Sequence, residues 1–165
     1  MKSIRQVQIF LTAMSLLWLS IASADSGRDD AKALDRDFPR STLQIAGLDA
    51  KLHPIRVWVA DNETRRARGL MYVREMAADE GMLFIYPRAQ RIAMWMKNTV
   101  LPLDMLFVAA DGRIIRVAAN TRPQSLETVE SGADALGVIE LNAGIAEKLN
   151  IRAGSQVIHP AFLRR

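Results

Sequence analysis

The chain has 165 residues, with 22 Lys and Arg against 18 Asp and Glu, a net charge of +4, 50% hydrophobic residues and no cysteine. The missing cysteine excludes disulfides, thiolate metal sites, CxxC redox chemistry and a cysteine nucleophile. No arginine run is longer than a pair, so nothing here argues for nucleic-acid binding.

The first segment reads as a secretory signal. Lys2 and Arg5 precede an apolar run from Ile9 to Ile21, broken only by Thr12, Ser15 and Ser20. Ala22-Ser23-Ala24 then makes a small-x-small cleavage pattern. The run is shorter than the ~20 residues of a membrane span. Cleavage after Ala24 is expected, which gives a periplasmic or secreted protein. The rival reading is an uncleaved anchor, through which alone the chain would meet a membrane. The signal carries two basic residues and no acidic one, so part of the positive charge leaves with it. An exported protein without disulfides draws its stability from its core.

Residues 25–40, "DSGRDDAKALDRDFPR", are polar and rich in charges of both signs, and predict a flexible leader. A single domain is expected over 41–165. "TLQIAG" alternates, as does "IRVWVAD", with Ile55, Val57 and Val59 on one face and Arg56 and Trp58 on the other. Pro54 suggests an edge or a strand start. "DNETRRARGLM" predicts a helix capped by Asp61 or Asn62 and ended by Gly69. "GMLFIYP", closed by Pro87, and "RIAMWMK" predict the next two strands. "LDMLFVAADGRIIRVAA" predicts a hairpin with a two-residue Asp111-Gly112 turn. Residues 120–134 predict a long loop. "ALGVIEL" predicts a buried strand, "NAGIAEKLN" a short helix capped by Asn142, and "GSQVIHP" a closing strand. The pattern is that of a compact α+β domain, mainly antiparallel β, with a small partly closed barrel and two short helices.

Several groups can carry chemistry. Met94 and Met96 are two apart, so a strand puts both thioethers on one face; soft sulfur ligands suit copper(I) or silver, although methionine more often fills a core. Asp104 and Glu140 lie in apolar strands, and a buried carboxylate must be paired or hydrogen-bonded. Lys97, backbone amides of the "NTVLP" turn and the free N–H groups of the helix expected from Asn142 are candidate partners. Two carboxylates can also act as acid and base in a hydrolase. The histidines, His53 and His159, each precede proline and are too few for a three-histidine metal site. Arg65, Arg66 and Arg68 form a basic cluster that is a solvated face or an anion site. GxSxG, HExxH and a glycine-rich phosphate loop are all absent from the sequence.

In order, "RARGLMYV", "DEGMLFIYP", "MWMKNTVLPLDMLFV", "ADGRIIRV" and "VIELNAGIAEKLNIRAGSQV" resemble the family called domain of unknown function 192, or DUF192. The resemblance runs from about Leu43 to Ile158. Two positions depart from the pattern. Gly154-Ser155 stands where glycine-aspartate is frequent, and Ile145 where an aromatic residue is common. The resemblance implies a compact single α+β domain and frequent export, and brings no established reaction or cofactor.

The family-marking blocks are strand ends and turns with polar lips. They predict a shallow ligand site of Arg68, Trp95, Lys97, Asn98, Thr99, Asp104, Glu140 and Asn142, with Trp95 as a stacking surface. The first reading is a non-enzymatic binding or accessory module for a sugar, another small polar ligand or a protein partner. The second is a small hydrolase using Asp104 and Glu140. The third is a soft-metal binder using Met94 and Met96.

Overall fold

A computed structural model describes residues 29–162; the expected signal peptide lies outside them. Seven strands succeed one another in the chain: β1 (Arg40–Ala46), β2 (Leu52–Ala60), β3 (Glu80–Met94), β4 (Leu103–Val108), β5 (Ile114–Thr121), β6 (Val129–Asn142) and β7 (Gln156–Ile158). Helix α1 covers residues 29–37; α2 (Glu63–Arg68) and α3 (Ile145–Lys148) are shorter. The strands form one sheet in the order β5-β4-β6-β3-β2-β1-β7. Neighbours are antiparallel except β2 and β3, which run parallel from Arg56↔Glu80 to Ala60↔Phe84.

The sheet curls into a half-barrel because its two edge strands meet at one end. Arg113 bridges Gln156. Ile114 N–H donates to the Ser155 carbonyl and Val157 N–H to the Gly112 carbonyl, both at 2.8 Å. Gly112 has φ +82°, and a Cβ there would lie 2.5 Å from the Val157 carbonyl oxygen, so only glycine fits. The same glycine shapes the β4–β5 connection. Ala109 and Arg113 pair around three residues, Ala110 to Gly112. The turn is therefore one residue longer than expected, with Gly112 in the left-handed position that such a loop requires.

Both faces of the sheet are covered. Ile55, Val57, Leu83, Leu106, Ile139 and Val157 pack on the enclosed face together with Ala146 of α3. Trp58, Met82, Phe84, Met105, Phe107 and Val138 point the other way. The alternation expected along "IRVWV" is present, and β4 is buried at every residue because it feeds both clusters.

The structure corrects several expectations. The leader expected over 25–40 is, from residue 29, part of the fold. Leu34 of α1 is fully buried and Phe38 nearly so, with Ala31 packed beside them at helical spacing. Asp35 accepts from the Trp58 indole N–H at 2.8 Å and from Arg40 at 2.6 Å. The charges that suggest disorder thus serve as local partners, and the α-helices among the described residues number three instead of two. Pro87 does not end a strand. β3 runs through it, and the pairing with β6 skips register between Ile85 and Gln90, so the proline sits where no ladder donor is needed. The loop expected over 120–134 is reduced to 122–128, because β5 and β6 extend into it. Asn142 does not cap α3. The N-cap is Gly144, and Asn142 instead donates to the Met76 carbonyl at 2.7 Å. Of the two candidate caps of α2, Asn62 is the one used.

Truncating Leu34 should therefore behave as a core deletion. Leu34→Ala is expected to lower the unfolding free energy by about 2–5 kcal/mol in a urea titration. A loss under about 0.5 kcal/mol would show that α1 is a loose appendage.

Candidate functional site

The parallel β2–β3 pair obliges the chain to cross back over the sheet between Ala60 and Glu80. This crossover builds one wall of a cleft. Asn62 Oδ1 accepts from Arg65 N–H at 2.9 Å and starts α2. Gly69, at φ +48°, ends it by donating its N–H to the Arg65 carbonyl. A Cβ on Gly69 would come within 3.2 Å of the Phe84 ring, so a glycine lets the turn press onto the sheet. Leu70 is then buried, and Arg66, Arg68 and Met71 face the cleft.

The opposite wall runs from the end of β3 into the turn beyond it: Ala93, Met94, Trp95, Lys97 and Thr99. The walls are tied together where Tyr72 N–H donates to the Asn98 carbonyl at 2.9 Å. Asn98 is left-handed at φ +56°, and its Nδ2 reaches Met71 Sδ at 3.8 Å. Phe84, Tyr86 and Glu140 line the cleft from β3 and β6, around a cavity of about 110 Å³.

Glu140 is the unusual group. Its side chain is 4% exposed. Among the described residues no hydrogen bond reaches its carboxyl, whose oxygens are not fully sealed from solvent. Its carboxyl lines the cleft, and burial pushes its pKa up to about 8. Burial also raises the Tyr86 hydroxyl above its ordinary range, with Arg66 opposing that shift and Glu140 adding to it. Tyr86 Oη donates to Met94 Sδ at 3.6 Å. Lys97 has no anionic partner among the described residues, and its ammonium lies 5.2 Å from the centroid of the Trp95 ring. Arg66 donates to the Ile85 carbonyl at 2.9 Å and lies over Tyr86. Arg68 pairs with Asp37 at 3.1 Å.

Of the residues expected at the site, Arg68, Trp95, Lys97, Thr99 and Glu140 come together on this cleft, and Asn98 braces its mouth. Asp104 and Asn142 stand apart. Asp104 is fully buried and accepts from Asn120 N–H and Ala146 N–H, both at 2.9 Å. It pins β5 and the first turn of α3, and it is not paired with Lys97. The pairs Asp104↔Leu141 and Met105↔Glu140 put the two carboxylates on opposite faces of the sheet. The hydrolase arrangement therefore has no shared cleft. The Met94–Met96 pair is divided too: Met96 is buried and accepts from Thr121 Oγ1 at 3.3 Å, whereas Met94 lines the cleft. Sequence reasoning does not place Met71, Phe84 and Tyr86 at the site, and it offers Arg66 only within the basic cluster and Gly69 only as part of a polar lip. The "RGLM" block carries the signal for Met71; Tyr86 carries none.

One more pair resembles catalytic machinery. Ser41 Oγ lies 3.0 Å from His159 Nε2. His159 Nδ1, however, accepts from Ala161 N–H at 3.2 Å. Burial lowers the histidine pKa, so the neutral ring carries its proton on Nε2 and donates it to the serine. A base that would activate the hydroxyl needs the opposite tautomer.

Fold and site define an α+β half-barrel domain with a crossover-walled cleft on one face of its sheet. The chain belongs to the DUF192 family, described as an uncharacterised ACR, whose pattern matches residues 45–159. It is similar to a crystallised candidate transcription regulator from Sinorhizobium meliloti, with 36% identity, a TM-score of 0.74 and coverage of 75% of this chain and 96% of that one. It is also similar to a crystallised protein of unknown function from Novosphingobium aromaticivorans, with 32% identity, a TM-score of 0.70 and coverage of 73% and 85%. Among curated proteins none matches.

Glu140 gives stability a distinct pH dependence. A buried acid of raised pKa keeps its proton in the folded protein where the unfolded chain has lost it. Its contribution is complete below the ordinary value of 4.5 and is lost as pH rises through about 8. Glu140→Gln should abolish that decline. Wild type and variant should unfold alike near about pH 5, and the variant should be more stable near about pH 9, by on the order of a few kcal/mol. An equal difference at every pH would show that the carboxyl is not held protonated.

Proposed function

We propose that the protein is an exported, non-enzymatic binding module whose ligand seats in the cleft between the Gly69 turn and the Trp95–Thr99 segment. Glu140 carries this reading. Burying a carboxyl without a partner costs free energy, and a glutamine or methionine would fill the space without that cost. A strongly perturbed group opening into a cleft points to something that enters it. Lys97, without an anion and leaning over the half-exposed Trp95, supplies charge and a stacking surface at the mouth. Binding is favoured over hydrolysis because Glu140 is the one carboxyl among the cleft-lining residues, and glycoside hydrolysis uses two.

A thermal-shift panel of small polar and charged compounds on residues 25–165 tests the site. A ligand at 100 times its Kd adds about 2.7 kcal/mol of stability. That shift should vanish in Trp95→Ala and in Lys97→Ala and persist in Arg91→Ala, which lies outside the cleft. A shift indifferent to the first two substitutions would place the ligand elsewhere.

Export rests on the amino-terminal pattern. Intact mass of the protein recovered from the periplasm or medium of an expressing bacterium should correspond to a chain starting at Asp25. A full-length, membrane-bound species would establish the anchor instead.

A further inference from the structure

Size and charge limit what the cleft accepts. Its volume, about 110 Å³, is less than the ~150 Å³ of an apolar cavity that encloses benzene. The enclosed part is small, so a small head group fits within it and the remainder of a larger ligand would lie along Trp95. Three cations line the cleft, Arg66, Arg68 and Lys97, against one carboxyl. Arg68 has Asp37 as counterion; among the described residues Arg66 is held by a carbonyl and an aromatic ring and has no anion, and Lys97 has none either. The field at the mouth is therefore positive. The thioethers of Met71 and Met94 are engaged by Asn98 Nδ2 and the Tyr86 hydroxyl, and a metal cation would meet this positive lining.

Building on the binding reading, we infer that the cleft takes a small oxyanion head group, carboxylate or phosphate, held by Lys97 and Arg66 and accepting a hydrogen bond from the Glu140 carboxyl. A carboxyl with no hydrogen-bond partner among the described residues, opening into the cleft, has its hydrogen to give. Burial supplies the protonated form at neutral pH. The charged and titratable groups facing it are Tyr86 from β3, Arg66 and Arg68 from the crossover and Lys97 from the facing wall, while β4 presents Met105. Ionised, Glu140 repels the ligand it bonds when neutral, which couples affinity to pH.

An isosteric charge series tests this. Benzoate, benzamide and benzamidine share a shape and differ in charge, and inorganic phosphate serves as the second oxyanion. In calorimetric titrations of the mature protein, benzoate or phosphate should bind at least about tenfold more tightly than benzamide, a difference of about 1.4 kcal/mol. Benzamidine should bind most weakly, and Lys97→Ala should weaken the oxyanion. Comparison of the two oxyanions distinguishes a carboxylate from a phosphoryl ligand. Benzoate stays ionised throughout, so its affinity for the wild type should fall as pH rises through about 8. Glu140→Gln keeps a donor and should bind with a flat profile. Preference for benzamide or benzamidine, or a wild-type profile as flat as the variant's, overturns the inference. If a neutral compound occupies the cleft instead, the binding reading survives without it; if no compound is displaced by Lys97→Ala or Trp95→Ala, both fail.

Discussion

The parallel pairing of β2 and β3 is the constraint on which the rest of the molecule depends. Antiparallel neighbours can be joined by tight turns, whereas a parallel pair demands a crossover. Here the crossover occupies residues 61–79 and contains α2 and the Gly69 turn. It must lie on one face of the sheet, and the face it takes is the one bearing Phe84, Tyr86 and Glu140. The cleft is the gap left between this strap and the segment after β3. A hairpin in place of the crossover would remove one wall and leave Glu140 in open water.

The second consequence is a division of labour between two carboxylates that look alike in sequence. Asp104 and Glu140 both interrupt apolar strands, and both lie in the same antiparallel ladder. A one-residue offset puts them on opposite faces. Asp104 meets two backbone N–H groups and becomes a fixed strut. Glu140 meets none among the described residues and stays chemically available. Burial is nearly the same for both; the difference lies in the partners that the two faces offer.

The strands were legible because their alternation is strong, as in "IRVWV" and "LDMLFV", and the half-barrel came from their number and spacing. α1 was not read. Its apolar positions, among them Ala31 and Leu34, are few among charges, and two of its side-chain partners, Trp58 and Arg74, are distant in sequence. Five of the eight expected site residues converge because family-marking blocks supplied both walls. Asp104 and Asn142 were misplaced for a different reason: a polar residue at a strand end bonds to backbone as readily as to a ligand, and only the register decides. Tyr86 sits just before Pro87, where the strand was expected to stop, so nothing marked it as part of a floor.

The closure between β5 and β7 also bears on how the protein behaves among its own copies. An open sheet offers two rows of unpaired backbone groups that can recruit strands from other molecules. Here the start of β5 is bonded to the β7 region, and β7 itself is only three residues long. The edge left free on β5 beyond Ile114 carries Arg116. Closure therefore hides strand edges at one end of the sheet only, since β7 covers β1 at Gln44–Ala46 and leaves Arg40–Leu43 without a second neighbour among the described residues.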